Sequence, residues 1–262
     1  MLIAETSALR AAHAAGADLN RLYRRAEDSG DRGPGARLHY VAALQQADSA
    51  LAAALAAAGP DTPAPARAAL EGRRALADAA IARETLEAAR LLGARRQDAL
   101  DTLNGLFALG RTPGALTGEY RGRLLSATVA APVDAAGRVV TRLYMPWLGK
   151  RFQPEIPGGD NVFVASAPIL GHMLWPTFRG YHPLRARRLT AFPFRTYTAP
   201  GVRDPDLTVL KLDYDNPANP RFIVRSVLDE LVQLSGRYYL GKVYLRHGAD
   251  SYLLTGFFTL RS

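Results

Sequence analysis

Asp229 and Glu230 are adjacent carboxylates inside an apolar stretch, Val227-Leu228-Asp229-Glu230-Leu231-Val232. Neighbouring residues on a strand point to opposite faces, so one of the two should face inward. An inward carboxylate opposite Lys242 or Tyr239 would have a shifted pKa and could work as an acid–base group, or it could form a buried ion pair that only fixes geometry. Among the five histidines, His172 and His182 flank Trp175 and Tyr181 and are the two expected near a pocket. Spacing gives neither an acid nor a nucleophile as partner, so a hydrogen-bonded structural role is the plainer expectation for both. The catalytic assignment is thus unknown, with Asp229, Glu230, His172 and His182 as candidates. Asp213 and Asp215 would share one face of a strand and could share a proton or a cation. A strand end running into an Asx-type turn at Asn216-Pro217 explains them more simply.

Several chemistries are excluded or disfavoured. The chain has no cysteine, which removes disulfides, thiolate metal sites and a cysteine nucleophile. No His-Glu-x-x-His, Gly-x-Gly-x-x-Gly, Walker loop or Gly-x-Ser-x-Gly elbow occurs, so no metal and no cofactor is expected. His13, His39 and His247 fall at polar helical or turn positions.

The net charge of +9 is carried almost wholly by arginine, since only Lys150, Lys211 and Lys242 are lysines. The densest cluster is Arg185, Arg187 and Arg188, preceded by Arg179. It suggests an anionic membrane or nucleic acid, although no nucleic-acid recognition motif is present and a solvated basic surface accounts for it better. The N-terminus lacks the basic and apolar regions of a secretory signal, and the most apolar run, 49–59, is too short to span a bilayer. A cytoplasmic protein without a transmembrane segment is expected.

The elements that must carry these residues divide into two halves. In 1–110, apolar residues recur at three- and four-residue steps, giving helices over 36–58, 66–92 and 97–109, with a weaker pattern in 1–30. Gly59-Pro60, Gly93 and Gly110 stop them. The faces are alanine-rich and suit close packing. An intramolecular bundle is favoured over a dimerisation arm, and a homodimer through this region stays open.

After Pro113-Gly114 the period shortens. Strands are expected over 118–129, 138–144, 161–165, 187–197, 207–214, 222–234, 237–245 and 251–260, with 169–178 as a helical turn or lid. Pro193 points to an edge or a bulge. About eight antiparallel strands in 117–262 are enough to close a barrel around one small ligand. The fold class is therefore α+β, an N-terminal alanine-rich helical region followed by an antiparallel β-barrel. Tyr120, Trp147, Trp175, Phe192, Phe194, Tyr214 and Tyr239 are its candidate ligand-binding lining.

Gly118-Glu119-Tyr120-Arg121-Gly122, followed by Trp147-Leu148-Gly149-Lys150-Arg151-Phe152, resembles the bacterial proteins named for a Gly-x-Trp-x-Gly motif, with Tyr120 in place of the tryptophan. Their barrel half is similar to the calycins, the group of lipocalins and fatty-acid-binding proteins. Tyr239-Leu240-Gly241-Lys242 and Phe257-Phe258-Thr259-Leu260-Arg261 agree in order. The resemblance implies a lipocalin-like barrel that binds a small hydrophobic ligand. It also implies that Tyr120 stacks under Arg261, a cation–π pair contributing about 1 kcal/mol. The leading expectation is binding of a lipid-like molecule or metabolite, with the helical half as cap or partner surface. One alternative is an enzyme on the same barrel, an isomerase, cyclase or hydratase using Asp229 or Glu230 with His172 or His182. The other is a basic adaptor docking on an anionic surface.

Overall fold

A computed structural model describes residues 17, 21, 33–58, 62–126, 146–248 and 251–262. His13, most of the expected 1–30 helix, the turn at 134–137, the strand at 138–144 and the end of the turn at 247–250 lie outside the described residues. The chain forms two units, Met1–Leu109 with Leu234–Tyr238, and Gly110–Gln233 with Tyr239–Ser262.

In the first unit, α1 is Pro34–Ala57, α2 is Ala64–Arg90 and α3 is Arg96–Ala108, each within a few residues of its expected place. Pro34 suits the first helical turn, where its missing N–H costs nothing. Val41, Leu44 and Leu51 from α1, Ile81 from α2, and Leu103, Leu106 and Phe107 from α3 are fully buried, so the apolar stripes meet one another. Gly105 allows α3 to approach α1: a β-carbon there would lie 2.5 Å from Leu38 Cδ1. Buried charges are paired. Arg37 bonds Glu84, and Arg74 Nε donates to Asp48 Oδ1 at 2.9 Å. The turn Leu234–Tyr238 belongs to this unit because aspartates hold it. Gly236 N donates to Asp48 Oδ2 at 3.2 Å, while Ser235 Oγ and Arg237 N donate to Asp78 Oδ1.

The second unit is a closed antiparallel barrel. Its strands are β1 Gly118–Ser126, β2 Trp147–Phe152, β3 Gly158–Val164, β5 Arg188–Pro200, β6 Thr208–Asp213, β7 Val227–Gln233, β8 Tyr238–Arg246 and β9 Tyr252–Arg261. The short β4, His182–Leu184, hangs on β5. The order β3-β2-β1-β9-β8-β7-β6-β5 returns to β3 through a β3–β5 pairing, so eight strands make a ring without an edge. The helix α4, Ala167–Leu174, fills the expected helical turn.

Two irregularities shape the interior. Gly149 has φ +145°, and a β-carbon there would lie 1.9 Å from Tyr120 O; the bulge it allows turns both Trp147 and Lys150 inward. Phe192, at φ 56°, sits where the β3–β5 register shifts, next to Pro193. Strict strand alternation would set Leu189, Ala191 and Tyr197 opposite Thr190, Phe192 and Phe194, and the irregularity breaks it. Ala191, Phe192 and Phe194 all join the core, and Tyr197 is exposed.

Tyr120 also differs from expectation. Arg261 pairs in register with Arg121, which sets its side chain on the outer face, while the Tyr120 ring packs inward on Phe152 and Tyr239 at 5.3 and 5.5 Å.

Candidate functional site

The barrel interior is apolar and rich in aromatic rings, packed around one buried polar network. Lys150 enters from β2, and its Nζ lies 2.8 Å from Asp229 Oδ2 on β7. Both side chains are wholly buried. The same ammonium donates to Asn161 Oδ1 at 3.0 Å, directly opposite on β3, and to the Tyr214 hydroxyl at the end of β6. Asn161 Oδ1 also accepts from Trp147 Nε1 at 3.0 Å, and Asn161 Nδ2 donates to Tyr214 Oη at 3.0 Å and to Phe192 O at 3.2 Å. Every polar atom of the asparagine amide is used.

Trp147, Phe194, Tyr214 and Phe258 surround the ammonium, with ring centroids 5.1 to 5.5 Å from Nζ. Ring faces supplement the single buried counter-ion. Burial works against both charges, pulling the Lys150 ammonium down and pushing the Asp229 carboxyl up, against the attraction each exerts on the other. Asp229 Oδ1 is buried and makes no hydrogen bond among the described residues. Leaving such an atom unsatisfied costs about 1–3 kcal/mol.

Beside this network lies an open-mouthed pocket lined by Trp147, Asn161, Phe163, Phe192, Tyr214, Val224 and Val227. Its empty space, mouth included, is about 350 Å³, of which about 40 Å³ admits the centre of a water molecule. That inner space would take about three waters, well below the room a whole lipid needs. Of the seven aromatic candidates, Trp147, Phe192 and Tyr214 line this pocket. Phe194 faces the ammonium, and Trp175 packs on Phe192 at 5.5 Å without lining the pocket. Tyr120 and Tyr239 are core.

The acid–base candidates are not brought together. Asp229 is the inward carboxylate, and its partner is Lys150, not Lys242 or Tyr239. Glu230 faces the other way, beneath the loop at 201–207. There Lys211 Nζ approaches it at 3.1 Å and Val202 N donates at 2.7 Å. Lys242 is on that outer face too, 2.6 Å from Asp204, with burial lowering its pKa against the pull of Asp204. His172 and His182 are exposed, on α4 and β4, away from the buried carboxylate. Asp213 and Asp215 each have their own arginine, Arg195 and Arg225, and Asn216 Oδ1 accepts from Ala218 N in the expected Asx turn.

Neither Lys150 nor Asn161 stands out in the sequence as a site residue. One signal was available: three of the 33 basic residues are lysines, and all three are buried. Where arginine serves the surface, lysine marks places needing a compact ammonium.

No family model matches the chain, and no curated protein resembles it significantly. Among solved structures, a protein from Thermomonospora curvata is 12% identical, with the match covering 67% of this chain and 97% of that one at a TM-score of 0.37. So slight a likeness carries neither fold nor function.

Proposed function

We propose that the barrel binds a small, mainly apolar molecule that inserts a slim end between Phe163, Phe192, Val224 and Val227 and presents a hydrogen-bonding group to Asn161 and Tyr214. The observation that carries this reading is the pocket itself, an apolar slot ending on a charged network that is fully enclosed elsewhere. A network used only for rigidity would not need an opening beside it, and replacing it with hydrocarbon would cost the fold little. The inner volume limits the inserted end to a few heavy atoms; the rest of the guest occupies the mouth. The calycin resemblance and a cytoplasmic location fit this reading, the latter through the absence of cysteine.

The test is calorimetric titration with aryl and alkyl ketones and alcohols of about five to ten heavy atoms, for which dissociation constants on the order of 0.1 mM are reasonable. Val227→Phe fills the slot; it should abolish binding while keeping or raising thermal stability. Unchanged affinity in that variant, or no binding across the series, overturns the proposal.

A second reading rests on Tyr214. Tyr214 lines the slot, and its hydroxyl accepts from Lys150 and lies 3.2 Å from Asp229 Oδ2, so it could protonate a guest carbonyl oxygen while a water in the mouth takes the α-proton, the hydroxyl then recovering its proton from the ammonium and the ammonium from that water. On this reading Tyr214→Phe removes turnover of an enolisable ketone, followed as solvent deuterium incorporation, while binding persists. Deuterium exchange that Tyr214→Phe leaves intact rejects it.

A further inference from the structure

No Asp or Glu occurs between Asp160 and Asp204, nor between Asp215 and Asp229. The fold gathers parts of these two carboxylate-free stretches at one end of the barrel. Ala165 N donates to Arg187 O at 3.0 Å, tying the start of α4 to the turn between β4 and β5. Trp175 Nε1 donates to Phe222 O at 3.1 Å, tying the end of α4 to the loop before β7. Segments 174–180 and 218–222 line an open cleft of about 830 Å³, mouth included, between them.

This end shows apolar side chains where water should favour polar ones. Ile169 is 71% exposed, Met173 73% and Phe222 65%, three of the largest exposures among the described apolar residues. Ile169 and Met173 are four apart on α4 and share one face. Around them Arg179, Arg185, Arg187 and Arg221 are exposed, and among the described residues no carboxylate pairs with any of the four. Arg179 Nη1 instead lies 3.3 Å from His172 Nε2.

We infer that this end of the barrel docks on an anionic lipid surface. The three apolar tips enter the acyl boundary, and the arginines lie at the level of the lipid phosphates. Charge alone would also suit a nucleic acid, but exposed aliphatic tips gain nothing from a polyanion in water, whereas a bilayer buries them. The inference stands whether or not the barrel holds a guest.

The test is co-sedimentation of the full chain with vesicles of phosphatidylcholine alone and of phosphatidylcholine with about 30% phosphatidylserine. Binding to the anionic vesicles is expected to be about tenfold or more tighter. Arg185→Gln with Arg187→Gln should weaken it about 25-fold, at roughly fivefold per arginine. Ile169→Ser with Met173→Ser should weaken it by a similar factor. Since all four positions are exposed, thermal unfolding serves as the control and should not change. Absence of binding to anionic vesicles overturns the inference. So does binding that survives Ile169→Ser with Met173→Ser and is displaced by a single-stranded oligonucleotide, which would make the patch a general polyanion site.

Discussion

Lys150 Nζ and Asp229 Oδ2 are 2.8 Å apart although their strands stand on opposite walls, four steps apart in either direction around the ring. The lysine stem crosses the barrel to make the contact, and the pair ties β2 to β7 through the core. Two buried charges in such a place each depend on the other. Lys150→Met or Asp229→Leu alone should lower unfolding free energy by about 3–5 kcal/mol, because each strands an uncompensated charge. The double variant should recover most of that loss in urea denaturation. Additive losses would show that the two groups are not coupled.

Tyr181 gives a pH signature. Its hydroxyl lies against Gly171 of α4, and burial pushes its pKa from 10 up to about 12. The unfolded chain ionises first, so stability from this group is complete below pH 10 and is lost as pH rises toward 12. Tyr181→Phe should therefore become steadily more stable relative to the parent between about pH 10 and 12, the interval between the unfolded and folded pKa. Denaturant midpoints across that range check it; a constant difference would mean that Tyr181 titrates normally.

Gly122 makes room for a site residue. A β-carbon there would lie 2.2 Å from Trp147 Cη2, so the indole lies directly over the glycine. Gly122→Ala should cost about 1–3 kcal/mol by overpacking. In combination with Trp147→Leu the penalty should shrink, since the ring causing the clash is gone. A double-mutant cycle measures that coupling.

The helical unit depends on Asp78 at the 234–238 turn. Asp78→Ala removes the acceptor for Ser235 Oγ and Arg237 N. A loss of about 1–3 kcal/mol is expected. Hydrogen exchange at the Arg237 amide should accelerate with it, and unchanged exchange would show that the aspartate does not hold the turn.

What could be read in advance followed from how local each signal is. The helices were legible because Leu44, Leu51, Ile81 and Phe107 repeat at helical steps and glycine or proline ends each run. The barrel was legible from the shortened period and the turn residues. Gly149 and Phe192 mark where legibility failed: each creates a bulge that changes which side chains face inward, and strict alternation cannot anticipate it. The Lys150–Asp229 contact joins residues 79 apart in sequence and exists only because the ring closes, so spacing alone could not pair them. Apolar neighbours mark Asp229 as a carboxylate that faces inward, whereas nothing in the sequence of 147–152 marks Lys150 as its partner. His172 and His182 neighbour aromatics in sequence, yet Trp175 and Tyr181 pack on Phe192 while both histidines stay exposed.

Two tryptophans report separately on whether a guest reaches Asn161 and Tyr214 through the slot. The Trp147 indole N–H bonds Asn161 inside the slot, whereas the Trp175 indole N–H bonds Phe222 O outside it. A ¹⁵N-resolved titration with a small aryl ketone, with the two indole signals assigned through Trp175→Phe, follows both at once. The expected result is a saturable shift of the Trp147 signal that Val227→Phe abolishes. A Trp147 signal that stays fixed while only Trp175 moves would place the guest in the outer cleft and contradict the proposal.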